Sequence, residues 1–316
     1  MRNHSNPSLP AAAVWAVLAT LILGGPGAGA GCGAQEPPAF SADSALVHVD
    51  RQLAFGPRVP GSEARDRAAR YIARTLERAG AAVRVQSFEI DDPYAPRRLR
   101  IINLIGSIAP ERPRRLMLAS HYDSRPRADQ EADSSLHATP IPGAVDGATS
   151  TAILLEVARM LGTELPDDIG VDLVFFDGED YGREGDLAHY LIGSRHFAAN
   201  LDGYRPAAAI LLDMVGGKGT RLVREGISVQ ESAPLVEYVF GRAASLGLPG
   251  FEQGAGSPIF DDHVPLLQAG IDAMDLFGYD YAAWHTLGDD RSQCAPAAID
   301  AVGRLLRDIV YRFDYP

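Results

Sequence analysis

The ten residues Val171 to Asp180, VDLVFFDGED, constrain this chain more than any other stretch. Val171, Leu173, Val174, Phe175 and Phe176 are β-branched, aromatic and aliphatic, the composition of a short strand buried on both faces. Gly178 lets the backbone turn sharply, and two adjacent acids, Glu179 and Asp180, arrive where the strand ends. Open α/β sheets place their sites at the carboxyl ends of strands, so both carboxylates are expected to face a crevice. One acid can then bind a cation while the other moves a proton. Taken alone, the same tripeptide is an ordinary polar turn, and the rest of the chain has to decide between the two.

Around this stretch the hydrophobic period alternates between helix and strand. Ser41 caps a helix with Leu46, Val47, Leu53 and Phe55 on one side, and Ser62 caps a second carrying Ala68, Ile72 and Leu76. Between them, the prolines of FGPRVPGS (55–62) impose an irregular crossing. Val83, Val85, Phe88 and Ile90 alternate with polar residues, as in an edge or antiparallel strand. Strands are expected at 101–108, 116–120, 171–177, 207–213 and 271–277, and helices at 148–161, 231–246 and 297–313. This order predicts an α/β fold: a mixed, mostly parallel twisted sheet with helices on both faces. One catalytic domain is expected over 41–316, joined by a tether at 33–40 to a leader at 1–32.

The leader has Arg2, an apolar core from Ala11 to Leu23 and a small-residue stretch before Cys32, which fits a secretion signal. Cys32 follows Gly29-Ala30-Gly31, which resembles a bacterial lipoprotein cleavage site, with Gly29 where Leu is usual. Lipidation at Cys32 and simple cleavage both remain open, and either places the chain in the cell envelope or outside the cell. The only other cysteine is Cys294, so the mature chain has no disulfide framework. A net charge of −12 without a basic stripe argues against a nucleic-acid surface. Acids recurring at strand ends suit a cation instead.

Four further stretches bring metal-type side chains to strand ends or helix starts: His121-Tyr122-Asp123, Asp146 in GAVDGATS, Asp213 after AAAILL, and His285 in AAWHTLGDD. Singly, each is an ordinary turn, cap or hydrogen-bonded residue. Jointly they are nitrogen and oxygen donors without a thiolate, the set expected of catalytic rather than structural zinc.

HYDS at 121–124, FFDGED at 175–180, GSRHFA at 193–198, LLDMVG at 211–216, DDHVPLL at 261–267 and WHTLGDD at 284–290 resemble, in order, motifs of the zinc aminopeptidase superfamily. Within it the chain looks most like the glutaminyl-peptide cyclotransferase branch. That resemblance implies Asp146, Asp180 and His285 as ligands of a single zinc, Glu179 as the proton-shuttling carboxylate, Asp213 and Asp261 as acids beside it, and Trp284 as an aromatic wall for the substrate. It implies a peptide or protein N-terminus as substrate and a monomer. The aminopeptidases use the positions of His121 and Asp213 to hold a second metal, so the metal count stays open. Asp261-Asp262-His263 stands where they usually carry Ser-Asp-His, and Trp284 where Tyr is common; both favour cyclisation over hydrolysis. Asp275 stands where animal cyclotransferases have His, the loop 181–190 lacks their tryptophan, and their disulfide is missing. Relatives that have lost ligands serve as receptors, but here every ligand position holds a competent donor.

Overall fold

The computed structural model describes residues 38–162, 165–166 and 168–316; the leader, Cys32 and residues 33–37 of the tether lie outside them. Residues 37–316 cluster as one compact unit.

Helix α1 (Ala42–Leu53) starts where Ser41 accepts the Ser44 amide at 3.2 Å, and α2 (Glu63–Arg78) where Ser62 accepts that of Arg65 at 3.1 Å. In α2 the expected Ala68, Ile72 and Leu76 are buried. In α1 the buried stripe is Ala45, Leu46, Val49 and Gln52, whereas Val47 is 56% exposed. Residues 45, 49 and 52 repeat at helical spacing on one face, and 47 falls on the far side.

Strands β1 (Ala82–Asp91) and β2 (Arg98–Ile108) form an antiparallel pair, with β1 at the edge. The chain continues through β3 (Arg115–His121), α3 (Ser150–Leu161), β4 (Gly170–Phe176), α4 (Ile192–Ala199), β5 (Ala208–Asp213) and β6 (Arg221–Arg224). It ends with α5 (Gly226–Glu231), α6 (Ala233–Ser245), β7 (Phe251–Ala255), α7 (His263–Gln268), β8 (Ala273–Tyr279) and α8 (Pro296–Tyr311). The sheet order is β1-β2-β4-β3-β5-β8-β6-β7. Its middle strands β4, β3, β5 and β8 run parallel, and antiparallel neighbours flank them on both sides.

Strand period two sorts the core into two layers. Leu116, Leu118, Leu173, Phe175, Ile210 and Leu212 face the larger layer, which includes residues of α1, α2, α3, α6 and α8. The alternate residues Met117, Ala119, Val174, Phe176, Ala209 and Leu211 pack with Phe197 of α4 and Leu266 of α7. With helices on both faces, sites can open only at a sheet end. Because β3, β4, β5 and β8 are parallel, the residues that follow all four emerge at the same end.

A buried ion pair ties the helical layer to that end. Arg65 of α2, 1% exposed, pairs with Asp177 just after β4, and Asp177 also accepts the Ile102 amide at 2.8 Å. Asp177→Ala strands the guanidinium with the Arg100 carbonyl and the half-buried Asp66 at 3.2 Å. Removing one partner of a buried pair costs about 3–5 kcal/mol. The remaining Asp66 contact places the expected loss near the lower figure, to be read from urea unfolding midpoints.

Candidate metal centre at the strand ends

His121 is the last residue of β3 and is buried. Its Nε2 lies 3.1 Å from Asp213 Oδ1, at the end of β5, and 3.2 Å from Asp146 Oδ1. On the other side of Asp146, His285 Nε2 lies 3.6 Å from Asp146 Oδ2 and 3.5 Å from Asp180 Oδ2. The donor atoms of Asp146, Asp180 and His285 fall within 4.8 Å of one another, as do those of His121, Asp146 and Asp213. Asp146 therefore stands between two sets of donors.

The local backbone explains how Asp146 reaches inward. Gly143 turns the chain at φ 67°, and Asp146 leaves helical geometry (φ −96°, ψ 87°) inside the turn 144–149 that precedes α3. A Cβ on the next residue, Gly147, would sit 2.5 Å from His121 Nε2, so only glycine lets the turn and the His121 ring approach so closely. Two fully buried residues hold this turn. Arg58 donates to the carbonyls of Pro142 at 2.9 Å, Gly143 at 2.6 Å and Tyr122 at 2.8 Å. Asp289 accepts the amides of Val145 at 2.8 Å and Asp146 at 3.3 Å. Burial pulls Arg58 down to about 10, opposed by the charges of Asp289, Asp123 and Asp146, and it remains a cation at neutral pH.

Asp123 plays the matching part for the Gly178 turn, accepting the amides of Glu179 at 3.3 Å and Asp180 at 3.4 Å. Asp146, Glu179, Asp180, Asp213, Asp261, Trp284 and His285 line one cavity of about 380 Å³. His121 lies behind that lining, in contact with Asp146 and Asp213. Trp284 is 44% exposed and stacks on the His285 ring at 3.9 Å and 26°. Asp129 and Gln130 from the loop 126–142, and Glu184, Gly185, Leu187 and Tyr190 from the loop 181–190, wall the mouth.

The charge state of this cluster calls for a cation. Burial, followed by the Asp180 and Asp261 charges, pushes the Glu179 carboxyl well above its ordinary range. Burial likewise raises Asp180 well above its usual value and Asp213 to about 7. In Asp146 burial is outweighed by contact with His121, and the net shift is downward. Burial pushes His285 down to about 4, so at neutral pH its imidazole carries the free lone pair that a metal needs. Asp180 Oδ2 is buried without a hydrogen-bond partner. Mixed imidazole and carboxylate donors, buried and with an orphaned oxygen among them, fit a zinc-type ion.

His137 bonds the Glu131 carbonyl, His189 pairs with Asp186, and His196 stacks on Phe88, all outside the cluster. Buried His263 faces Glu225 at 3.4 Å. Cys294 is a buried packing residue whose thiol burial pushes up to about 12. The supporting residues Arg58, Asp123, Arg125, Asp129 and Asp289 carry no mark in the sequence beyond lying in or near the quoted motifs.

Topology and donor set together define an α/β protein with a mixed, mostly parallel sheet and donors for a metal at its strand ends. The sequence matches Peptidase family M28 over residues 103–310, about two-thirds of its length, and the chain belongs to that family. It is 27% identical to the glutaminyl-peptide cyclotransferase of Bos taurus, an alignment covering 81% of this chain and 78% of that one. The crystal structure of Porphyromonas gingivalis glutaminyl cyclase aligns with TM-score 0.82 and 38% identity, covering 85% of this chain and 96% of the other. A Zn-dependent exopeptidase from Parabacteroides distasonis aligns with TM-score 0.84 and 37% identity, over 87% and 99%.

Proposed function

We propose that this protein is a zinc-dependent glutaminyl-peptide cyclotransferase, converting N-terminal glutamine of peptides or proteins to pyroglutamate with release of ammonia. The observation that carries the reading is the convergence of Asp146, Asp180 and His285 beside Glu179, in a cavity walled by Trp284. Similarity to glutaminyl cyclases along nearly their whole length supports it. One zinc is expected at Asp146, Asp180 and His285, and His121 with Asp213 and the shared Asp146 offers donors for a second.

Asp146, Asp180 and His285 would hold the zinc, which when bound supplies a Lewis acid for the side-chain carbonyl of the substrate. The cavity folds the glutamine side chain back toward its own α-amine, and the exposed face of Trp284 gives it a flat wall. Glu179 takes a proton from the attacking amine as the new N–C bond closes the lactam. It returns a proton to the amide nitrogen as the old C–N bond breaks and ammonia leaves. Asp123 keeps Glu179 in place through the two turn amides. The leader and Cys32 support export, with the enzyme either lipid-anchored in the envelope or released.

The same donors suit hydrolysis of the first peptide bond, and the Parabacteroides neighbour is described as a Zn-dependent exopeptidase. Two peptides separate the readings, one beginning with Gln and one with Leu, with products identified by mass. Loss of ammonia from the first with the second intact is expected. Release of free leucine overturns cyclisation in favour of an aminopeptidase.

A further inference from the structure

Arg125 lies four residues beyond the end of β3 and is 1% exposed. Its guanidinium serves two acids at once. Nε and Nη2 fork onto Asp129 at 2.7 and 2.5 Å, while Nη1 donates to Asp180 Oδ1 at 2.6 Å and to the Asp180 carbonyl at 3.3 Å. Nη2 also donates to the Tyr190 hydroxyl at 3.0 Å. Asp129 in turn faces Nδ1 of His285 at 3.7 Å, and the next residue, Gln130, donates its amide to the His285 carbonyl at 3.2 Å.

We propose that Arg125 and Asp129 form a brace that positions two of the three metal donors, Asp180 and His285, from behind. The inference rests on the assignment of those two residues as metal ligands. With Oδ1 committed to the guanidinium, Asp180 can offer the centre only Oδ2, the oxygen that has no other partner and lies 3.5 Å from His285 Nε2. Asp129 Oδ1 stands on the Nδ1 side of the imidazole at 3.7 Å, and Nε2 faces Asp146 and Asp180. The backbone gives independent support. His285 sits at φ 54°, a left-handed conformation uncommon for residues other than glycine, and the Gln130 amide secures its carbonyl there.

A planar five-donor guanidinium can satisfy Asp129, Asp180 and Tyr190 together, and a lysine ammonium cannot reproduce that fork. Arg125 is thus a positioning residue: it acts on the reacting groups only through Asp180 and Asp129. Loss of such supporting contacts typically weakens metal affinity about 10–100-fold.

The test is the zinc dissociation constant of the full chain, measured by competition with a chromogenic chelator, for wild type, Arg125→Lys and Asp129→Asn. Unfolding of each metal-free protein is followed in parallel. Expected are a 10- to 100-fold weaker constant for Arg125→Lys and a roughly 10-fold weaker one for Asp129→Asn, with cyclisation recovering in both as free zinc is raised to saturation. That recovery is what a merely structural role would not produce. Asp129 is partly exposed, so its variant carries the test even if Arg125→Lys does not fold. Zinc bound as tightly by Asp129→Asn as by wild type overturns the brace. A wild-type chain that binds no zinc removes the ligand assignment itself, which is a different failure.

Discussion

Glu179→Gln is expected to lower kcat for a Gln-initiated peptide by about 100- to 10,000-fold, the range contributed by a positioned proton-transfer group. Zinc content should not change. Glutamine has the shape of glutamate but cannot accept and return a proton. The turn that carries residue 179 is fixed by main-chain bonds to Asp123 that do not involve its side chain. Asp180, the neighbouring donor, keeps its contact with Arg125. The loss should therefore fall on kcat, with KM nearly unchanged. Steady-state kinetics beside elemental analysis of the same sample read both, and turnover within a few-fold of wild type would take Glu179 out of the chemistry.

The second large effect belongs to His285. It supplies the only nitrogen to the donor set proposed for the single zinc. His285→Ala leaves Asp146 and Asp180 to hold a divalent ion alone. Zinc at a thousand times its dissociation constant stabilises a folded protein by about 4 kcal/mol, because it binds the native state and not the unfolded one. Wild type should show that gain in thermal unfolding and lose it, together with activity, on chelation. His285→Ala should show neither the gain nor turnover at any zinc concentration. A full equivalent of zinc retained by His285→Ala would place the ion among His121, Asp146 and Asp213 instead, and so revive the two-metal alternative.

Much of this organisation is written locally in the chain. The two-layer core follows from period two: Leu173 and Phe175 face one layer, Val174 and Phe176 the other, and every residue of β4 is buried. The carboxyl-end rule for parallel strands then brings together donors as distant in sequence as His121 and His285. What stayed hidden depends on tertiary partners. Strands β6 and β7 are short: the four-residue RLVR buries only Leu222 and Val223, adjacent residues that show no period, and β7 is mostly exposed. The last strand was expected at 271–277 and occupies Ala273–Tyr279, because Ile271 packs into the smaller layer before the strand begins. Arg195 of the GSRHFA motif donates to the Leu187 carbonyl and lies 5.6 Å over the Phe260 ring, partners contributed by other loops. Arg58 and Asp289 could not be assigned roles, since the carbonyls and amides they hold are contributed by loops 64 to 144 positions away.

That last arrangement bears on where a working unit can be cut. The M28 match begins at residue 103, and a gene fragment starting there would still encode each proposed ligand, Asp146, Asp180 and His285. It would lack Arg58, one of the two buried residues that hold the Asp146 turn, and with it the three donated hydrogen bonds that pin the loop in front of Asp146 to the segment just after His121. Such a minimised enzyme would own the full chemical inventory and lack half of what aims it, so a working unit is expected to need more chain at its amino end than the family match covers.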